Sequence, residues 1–437
     1  MCKISSNFAT HFIPTILILF SLCSTYQVVV VVATGSPLPS SLPRSTLSLS
    51  LSPQPRSASS SSLDGSNVEE AKKVIQQFFK GITSDNCGFS KFTITDTPDL
   101  CKNPKFGCTP VPSKDSSKQT KNLYAIDFNE CGIMGKNITI DGFIDKLPDV
   151  SIFHVNSNSF GGNIPVLSHL PYLSELDLSN NKYTGNFPMN ILGATNLNFL
   201  DLRFNSFTGP VPPGLFNLKL LTLFINNNNF DHDLPSNMGS TLASFINLAN
   251  NKFTGPIPKS IGQASNTLLE ILFLNNTFSG CLPYEIGLLK NARVFDVSMN
   301  SLSGPIPESF GCLESIEYLV LEKNEFYGSV PEEVCTLRNL TKLNLADNYF
   351  TEVGPECRKL IQKGVLDIKH NCVMGLPNQR DPKLCAGFLS KPKPPKGCGE
   401  VNHSVTCNKG SKSVYLHSET EGGPQPHPTL TYKSLSL

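Results

Sequence analysis

One phrase, L-x-x-L-x-L-x-x-N, returns along most of this chain and constrains its fold more than any other feature. Its Asn stands at Asn158, Asn181, Asn205, Asn228, Asn251, Asn276, Asn300, Asn324, Asn348 and Asn371. An earlier, looser unit, "LYAIDFNEC", puts Cys131 at the Asn place. That makes about eleven units of roughly 24 residues, a period that belongs to stacked repeats rather than to a globular core. Apolar residues two apart, such as Leu176 and Leu178, read as a short strand with both side chains turned inward. Successive strands then stack into one parallel sheet on the concave side of a solenoid. At about 4.8 Å per strand the array is about 50 Å long before curvature.

The other letters of the phrase have structural duties. The Asn turns the chain, and its amide can satisfy backbone groups of neighbouring turns. Tyr183, Phe207, Phe230, Phe253, Phe278, Phe326 and Phe350 recur in one slot and predict a buried aromatic spine. The second half of each unit contains G-x-[IV]-P, as in "FTGPVP" (207–212), "FTGPIP" (253–258) and "LSGPIP" (302–307). The pattern is that of the leucine-rich repeat, and these segments resemble its plant-type extracellular form. That resemblance implies an α/β solenoid wound as a right-handed superhelix, with a concave parallel β-sheet, a second sheet on the flank, about 10–11 repeats and disulfide-capped ends. The unit "LEILFLNNTFSGCLPYEIG" (269–287) reads as one residue short between Leu274 and Asn276, which predicts a local bulge.

Residues 1–33 read as an export signal: Lys3 precedes the apolar run "IPTILILFSLC" (13–23), and Ala33 is a cleavage position. The apolar stretch continues through "VVVVV" (28–32), so an uncleaved anchor is the alternative. Residues 34–66 are Ser/Pro-rich low complexity and read as a disordered linker. Residues 67–122 form an N-terminal capping region, 123–376 the repeats, and 377–437 a Cys-containing cap and tail. Val68, Ala71, Val74, Ile75 and Phe78 predict an amphipathic helix over 67–82. Sequons at Asn137, Asn275, Asn339 and Asn402 fit secretion. So do the cysteines: of 14, Cys2 and Cys23 fall in the signal, and the other 12 cluster at the two ends of the array and read as disulfides in an oxidising compartment. No C-x-x-C pair exists, so neither a metal nor another cofactor is expected.

Several stretches narrow the resemblance: "NSNSFGGNIP" (156–165), "LDLRFNSFTGPVP" (200–212), "VFDVSMNSLSGPIPESF" (294–310), "VCTLRNL" (334–340), "NYFTEVGPECRKL" (348–360) and "NCVMGLPNQRDPKLC" (371–385). Together they resemble the leucine-rich repeat extensins of plant cell walls, most of all the smaller wall proteins without an extensin tail. The chain departs from that pattern in having no Trp in its N-terminal cap. "KPKPPKGCGE" (391–400) is its only echo of an extensin module. The disulfides expected are Cys101–Cys108, Cys281–Cys312, Cys335–Cys357 and Cys372–Cys385, with Cys398–Cys407 closing a tail loop. Cys87 and Cys131 are left either to pair with each other or to link two chains in a homodimer.

The letters that structure does not claim lie on the concave sheet. His154, Asn156, Glu175, Asp177, Asp201, Arg203, Phe204, Phe224, Asn226, Asn247, Asp296 and Ser298 are the predicted binding residues there. Asp177, Asp201, Asn247 and Asp296 share one column, read either as an acidic ridge for a ligand or as a ladder bonding to neighbouring turns. Phe199, Phe204 and Phe224 are aromatics at predicted exposed places, the kind of anchor a protein-binding face uses. Asn275 falls on or beside the same face, where a glycan would mask part of it.

Net charge is +1, so nothing global points to nucleic acid. No P-loop, H-E-x-x-H or G-x-S-x-G is present, and an enzyme is not expected. The resemblance implies a secreted module of the cell wall or apoplast, with no membrane span after signal cleavage. It would recognise small basic Cys-rich signalling peptides in wall integrity or growth, and an acidic ridge would suit them. Two other readings stay open: an inhibitor of a secreted wall-degrading enzyme, of the polygalacturonase-inhibitor kind, and a structural wall protein contacting polysaccharide.

Overall fold

The computed structural model describes residues 68–91, 99–111, 120–391 and Cys407. The expected leader (1–33), linker (34–66), Cys398 and Asn402 lie outside the described residues.

The concave sheet has twelve strands among the described residues. They are β1 (Phe106–Val111), β2 (Thr120–Asp127), β3 (Ile152–His154), β4 (Glu175–Asp177), β5 (Phe199–Asp201), β6 (Thr222–Phe224), β7 (Phe245–Asn247), β8 (Glu270–Leu272), β9 (Val294–Asp296), β10 (Tyr318–Val320), β11 (Lys342–Asn344) and β12 (Leu366–Asp367). From β2 onward every neighbour is parallel, whereas β1 is antiparallel to β2 and closes the N-terminal edge. An antiparallel hairpin at that edge answers the exposed donors and acceptors a terminal strand would leave.

Pairing is in register throughout the regular units. Phe153, Leu176, Leu200, Leu223, Ile246, Ile271, Phe295, Leu319 and Leu343 meet one another across successive strands and are buried. The unit at 269–287 is therefore regular, and the expected bulge is absent. Counting back from Asn276, the inward residues are Ile271 and Phe273, not Leu274; the apolar Leu274 had masked the true register.

Two interactions hold unit to unit. The first is the Asn ladder. Asn228 donates to the carbonyls of Leu202 (2.9 Å) and Ile225 (3.1 Å), while its Oδ1 accepts the Phe207 N–H (3.1 Å). Asn251 and Asn276 repeat the pattern one and two units on. Each buried amide thus pairs backbone groups that would otherwise be stranded by the turn. The second is the aromatic spine. Tyr183 stacks on Phe207 (5.9 Å), Phe207 on Phe230 (5.9 Å), Phe230 on Phe253 (6.2 Å) and Phe253 on Phe278 (6.0 Å). Leu302 interrupts the column before Phe326 and Phe350 resume it at 6.4 Å.

Two four-stranded sheets lie on the flank, built from 184–254 and from 279–353. On the convex side most units make a 3-10 turn, for example Pro213–Asn217 and Lys259–Ala264. These turns approach closely: a Cβ on Gly239 would fall 1.6 Å from the Ser260 carbonyl oxygen.

Helix α1 (Val68–Phe79) covers the N-terminal end. It buries Val68, Ala71, Ile75 and Phe79, and it stops before the predicted residue 82 because Ile82 enters a short strand. At the other end lie α2 (Glu332–Cys335), α3 (Pro355–Gln362) and α4 (Pro382–Leu389). Phe388 of α4 stacks on Tyr349 at 3.6 Å, and the guanidinium of Arg380 sits 4.6 Å from the centre of the same ring.

Disulfides join Cys101 to Cys108, Cys335 to Cys357 and Cys372 to Cys385. Cys87 is bonded to Cys131, the first of the two alternatives, so neither is left to link two chains in a homodimer. Two expected pairs are corrected. Cys312 is bonded to Cys407, which rules out both Cys281–Cys312 and Cys398–Cys407. The reason is position within the repeat. Cys281 follows the flank strand Ser279–Gly280, whereas Cys312 ends the convex turn Glu308–Cys312, whose counterpart in the preceding unit ends at Leu288. Cys281 is itself disulfide-bonded.

Candidate concave binding face

The register of the sheet defines the face. One column runs Asp127, His154, Asp177, Asp201, Phe224, Asn247, Leu272, Asp296, Val320, Asn344. The acids and amides in it do one local job. Asp177 Oδ1 accepts the Ser179 N–H (2.9 Å) and hydroxyl (2.6 Å). Asp201 Oδ1 accepts the Arg203 N–H (3.0 Å), and Asn247 Oδ1 the Ala249 N–H (3.1 Å). Asp296 Oδ1 takes the Ser298 N–H (2.8 Å) and hydroxyl (2.6 Å). Each side chain closes the end of its own strand by bonding two residues on, a turn chemistry to which Asp and Asn are suited. The column is thus a set of strand caps, not a ladder between turns.

This changes what the face displays. Asp201 is wholly buried, and Asp177, Asn226 and Ser298 are buried too, against the expectation that all four face solvent. Capping draws the Asp177 and Asp201 carboxylates back over their own strand ends, and the Ser298 hydroxyl is drawn down onto Asp296. Burial and the nearby Asp177 carboxylate push Asp201 up to about 8, against the pull of Arg203. Burial likewise raises Asp296, which Ser298 partly offsets.

What remains open is a compact group on β3 to β6. His154 Nε2 lies 3.0 Å from Glu175 Oε2. Burial alone would depress His154, but the Glu175 bond and the Asp177 charge outweigh it and raise the imidazole. Phe199 lies between the His154 ring (6.2 Å) and the Phe224 ring (6.3 Å, edge-on). Arg203 Nε contacts Asp201 Oδ2 at 2.8 Å, and its guanidinium sits 5.3 Å from the Phe224 ring centre. Phe199, Phe224 and Phe204 are half-buried, so each keeps surface for a partner. Asn156 is tied to the Ser179 and Ser157 hydroxyls at the margin of the group.

Phe204 occupies a place with a backbone demand. The residue before each ladder Asn is left-handed: φ is 51° at Asn180, 54° at Asn227, 55° at Asn250 and 52° at Asn275. Asn is enriched in that region, though Met299 (56°), Lys323 (52°) and His370 (53°) also adopt it at this place. Phe204 adopts it with φ 53°.

A second group was not foreseen. Glu270 on β8, Arg293 and Glu317 stand near one another, with Arg293 Nε 4.0 Å from Glu317 Oε1. Burial raises Glu270, Arg293 lowers it, and Glu317 raises it again. The misread register at 269–287 hid Glu270; counting back six from Asn276 finds it. Asn275 is exposed at the edge of this face, with its amide donating to Asn250 Oδ1 (2.8 Å).

No helix among the described residues is long and apolar enough to cross a membrane. The Leucine Rich Repeat family model matches residues 196–218, 244–264 and 291–313. Leucine-rich repeat extensin-like protein 2 of Arabidopsis thaliana is 37% identical over 235 residues, 54% of this chain and 29% of that protein. The chain therefore spans less than a third of that relative's length. Among solved structures, a TDR receptor shares 33% identity over 52% of this chain and 40% of its own, with a TM-score of 0.50. A plant ice-binding protein is alike in fold, at 23% identity over 71% of this chain and 97% of its own, TM-score 0.54. Repeat register, strand caps, flank sheets and these likenesses agree: the chain is a leucine-rich repeat solenoid, and it is similar to plant leucine-rich repeat proteins.

Proposed function

We propose that this protein is an extracellular binding module that captures a peptide or small protein on the concave face between β3 and β6. The observation that carries the reading is the Phe199–Phe224 pair. Two half-buried rings are flanked by Arg203 on one side and the His154–Glu175 pair on the other. Aromatic anchors ringed by polar groups are the usual energetic centre of a protein interface. The likeness to a receptor and to a wall extensin-like protein supports the same reading.

The ligand's chemistry follows from which charges stay open. Asp177 and Asp201 are committed to capping, so a basic ligand would meet Glu175 first and Glu270 further along. A small basic Cys-rich peptide of the cell wall, acting in wall integrity or growth, fits that surface and the extensin-like resemblance. Binding of the secreted, disulfide-intact protein to a panel of such peptides tests this, beside Phe199→Ala and Phe224→Ala. Each substitution is expected to weaken binding by about 2 kcal/mol or more. Unchanged affinity in both variants would remove the function from this face. Capture of a pectin-degrading enzyme instead would point to an inhibitor.

A further inference from the structure

A groove of about 400 Å³ opens between α1 and the loop 136–146, far from the concave cluster in sequence and on the N-terminal cap. Its floor includes Val74 and Phe78 of α1, with Phe143 beneath. The Phe78 ring stacks on Phe143 at 4.2 Å with 11° between planes, and Phe78 remains half-buried. Lys73, Gln77 and Lys146 stand along the rim. Asn137 lines the same groove and opens the sequon Asn137-Ile138-Thr139.

Asn137 differs from the other described sequon residues. It is exposed on a left-handed turn, φ 60°. Asn275 donates its amide to Asn250 (2.8 Å), and Asn339 donates to the Glu314 carbonyl (2.8 Å). The Asn137 amide makes no hydrogen bond among the described residues. The turn is held from below, where Ile138 is buried and Thr139 Oγ1 donates to the Asn163 carbonyl (3.3 Å). An uncommitted amide thus belongs to a residue lining a space with an aromatic floor and a hydrogen-bonding rim.

We propose that Asn137 carries an N-linked glycan whose first N-acetylglucosamine lies in this groove on the Phe78 ring. The inference rests on the extracellular reading, because the modification needs the secretory route. In the transfer, Asn137 Nδ2 forms a bond to the anomeric carbon of an oligosaccharide diphospho-lipid. The bond from that carbon to the phosphate oxygen breaks, the lipid diphosphate leaves with the electron pair, and Nδ2 gives up one proton. The sugar's C–H face meets the electron-rich ring face, and Gln77 and the lysines reach its hydroxyls. The groove is filled by the chain's own modification, which removes Phe78 from water.

The full chain is secreted from a eukaryotic cell, once behind its own leader and once behind a heterologous one. Glycopeptide mass mapping then reads occupancy, and a peptide N-glycosidase is timed on the native protein at Asn137 and Asn339. We expect Asn137 to be occupied and released about five- to ten-fold more slowly than Asn339, the effect of one aromatic contact. The rates should converge after denaturation, and Phe78→Leu should narrow the native gap. A bare Asn137 beside an occupied Asn339, or equal native rates, would overturn the proposal. Absence from the medium with its own leader alone would count against the extracellular reading instead.

Discussion

Arg203 Nε sits 2.8 Å from the buried Asp201 Oδ2, while the Arg203 backbone N–H donates to Asp201 Oδ1 at 3.0 Å. The carboxyl group that closes strand β5 therefore also fixes the guanidinium over Phe224. Asn247 and Asn344 make the same backbone bond in other units, to Ala249 and Ala346. Asp201→Asn should keep the cap and change stability by no more than about 1 kcal/mol. Asp201→Ala strands the Arg203 N–H and should cost about 2–3 kcal/mol. Denaturant unfolding of the two variants separates these outcomes, and equal losses would refute the capping role.

The same residue predicts how stability follows pH. Asp201 is raised from its ordinary value of 3.8 to about 8, chiefly by burial. The folded state then holds a proton that the unfolded chain has lost, so stability falls as pH rises from about 4 to 8. Protonated His154, raised by Glu175 against burial, acts in the same direction above its ordinary 6.5. The melting temperature should be higher at pH 5 than at pH 8. Asp201→Asn should shrink that difference, and scanning calorimetry across this range reads it directly.

Phe204 should show opposed effects on stability and binding. Replacing it with Asn, as at Asn180 and Asn227, relieves a left-handed bulky residue and should stabilise by about 1 kcal/mol. The same change removes a ring from the proposed binding face and should weaken ligand capture. A variant that is both less stable and fully competent to bind would contradict both halves.

Asn228→Ala tests the ladder. It removes the acceptor of the Phe207 N–H and the donor to Leu202 and Ile225 in one step. Each stranded buried group costs about 1–3 kcal/mol, so the array should lose several kcal/mol or break its unfolding into two transitions. Circular dichroism melts distinguish these from a local change.

The repeat was legible in the sequence except for the register at 269–287. A ladder Asn every 23 to 25 residues, with inward apolar residues three and five places before it, sets strand, turn and register without reference to distant residues. The aromatic spine follows from the same count, because each unit contacts only its neighbours. Even the hidden Glu270 was recoverable by counting from Asn276. The tertiary structure decided matters that depend on lateral spacing and on ends. Whether Asp177 and Asp201 faced a ligand or capped their strands turned on how closely neighbouring strands and the Arg203 side chain cover them, a distance no period encodes. Which cysteine met Cys312 turned on its place on the convex turn, with a partner, Cys407, that is 95 residues away in sequence and outside the repeat pattern. Local period determines a solenoid's units; packing between them determines which polar side chains are left for a partner.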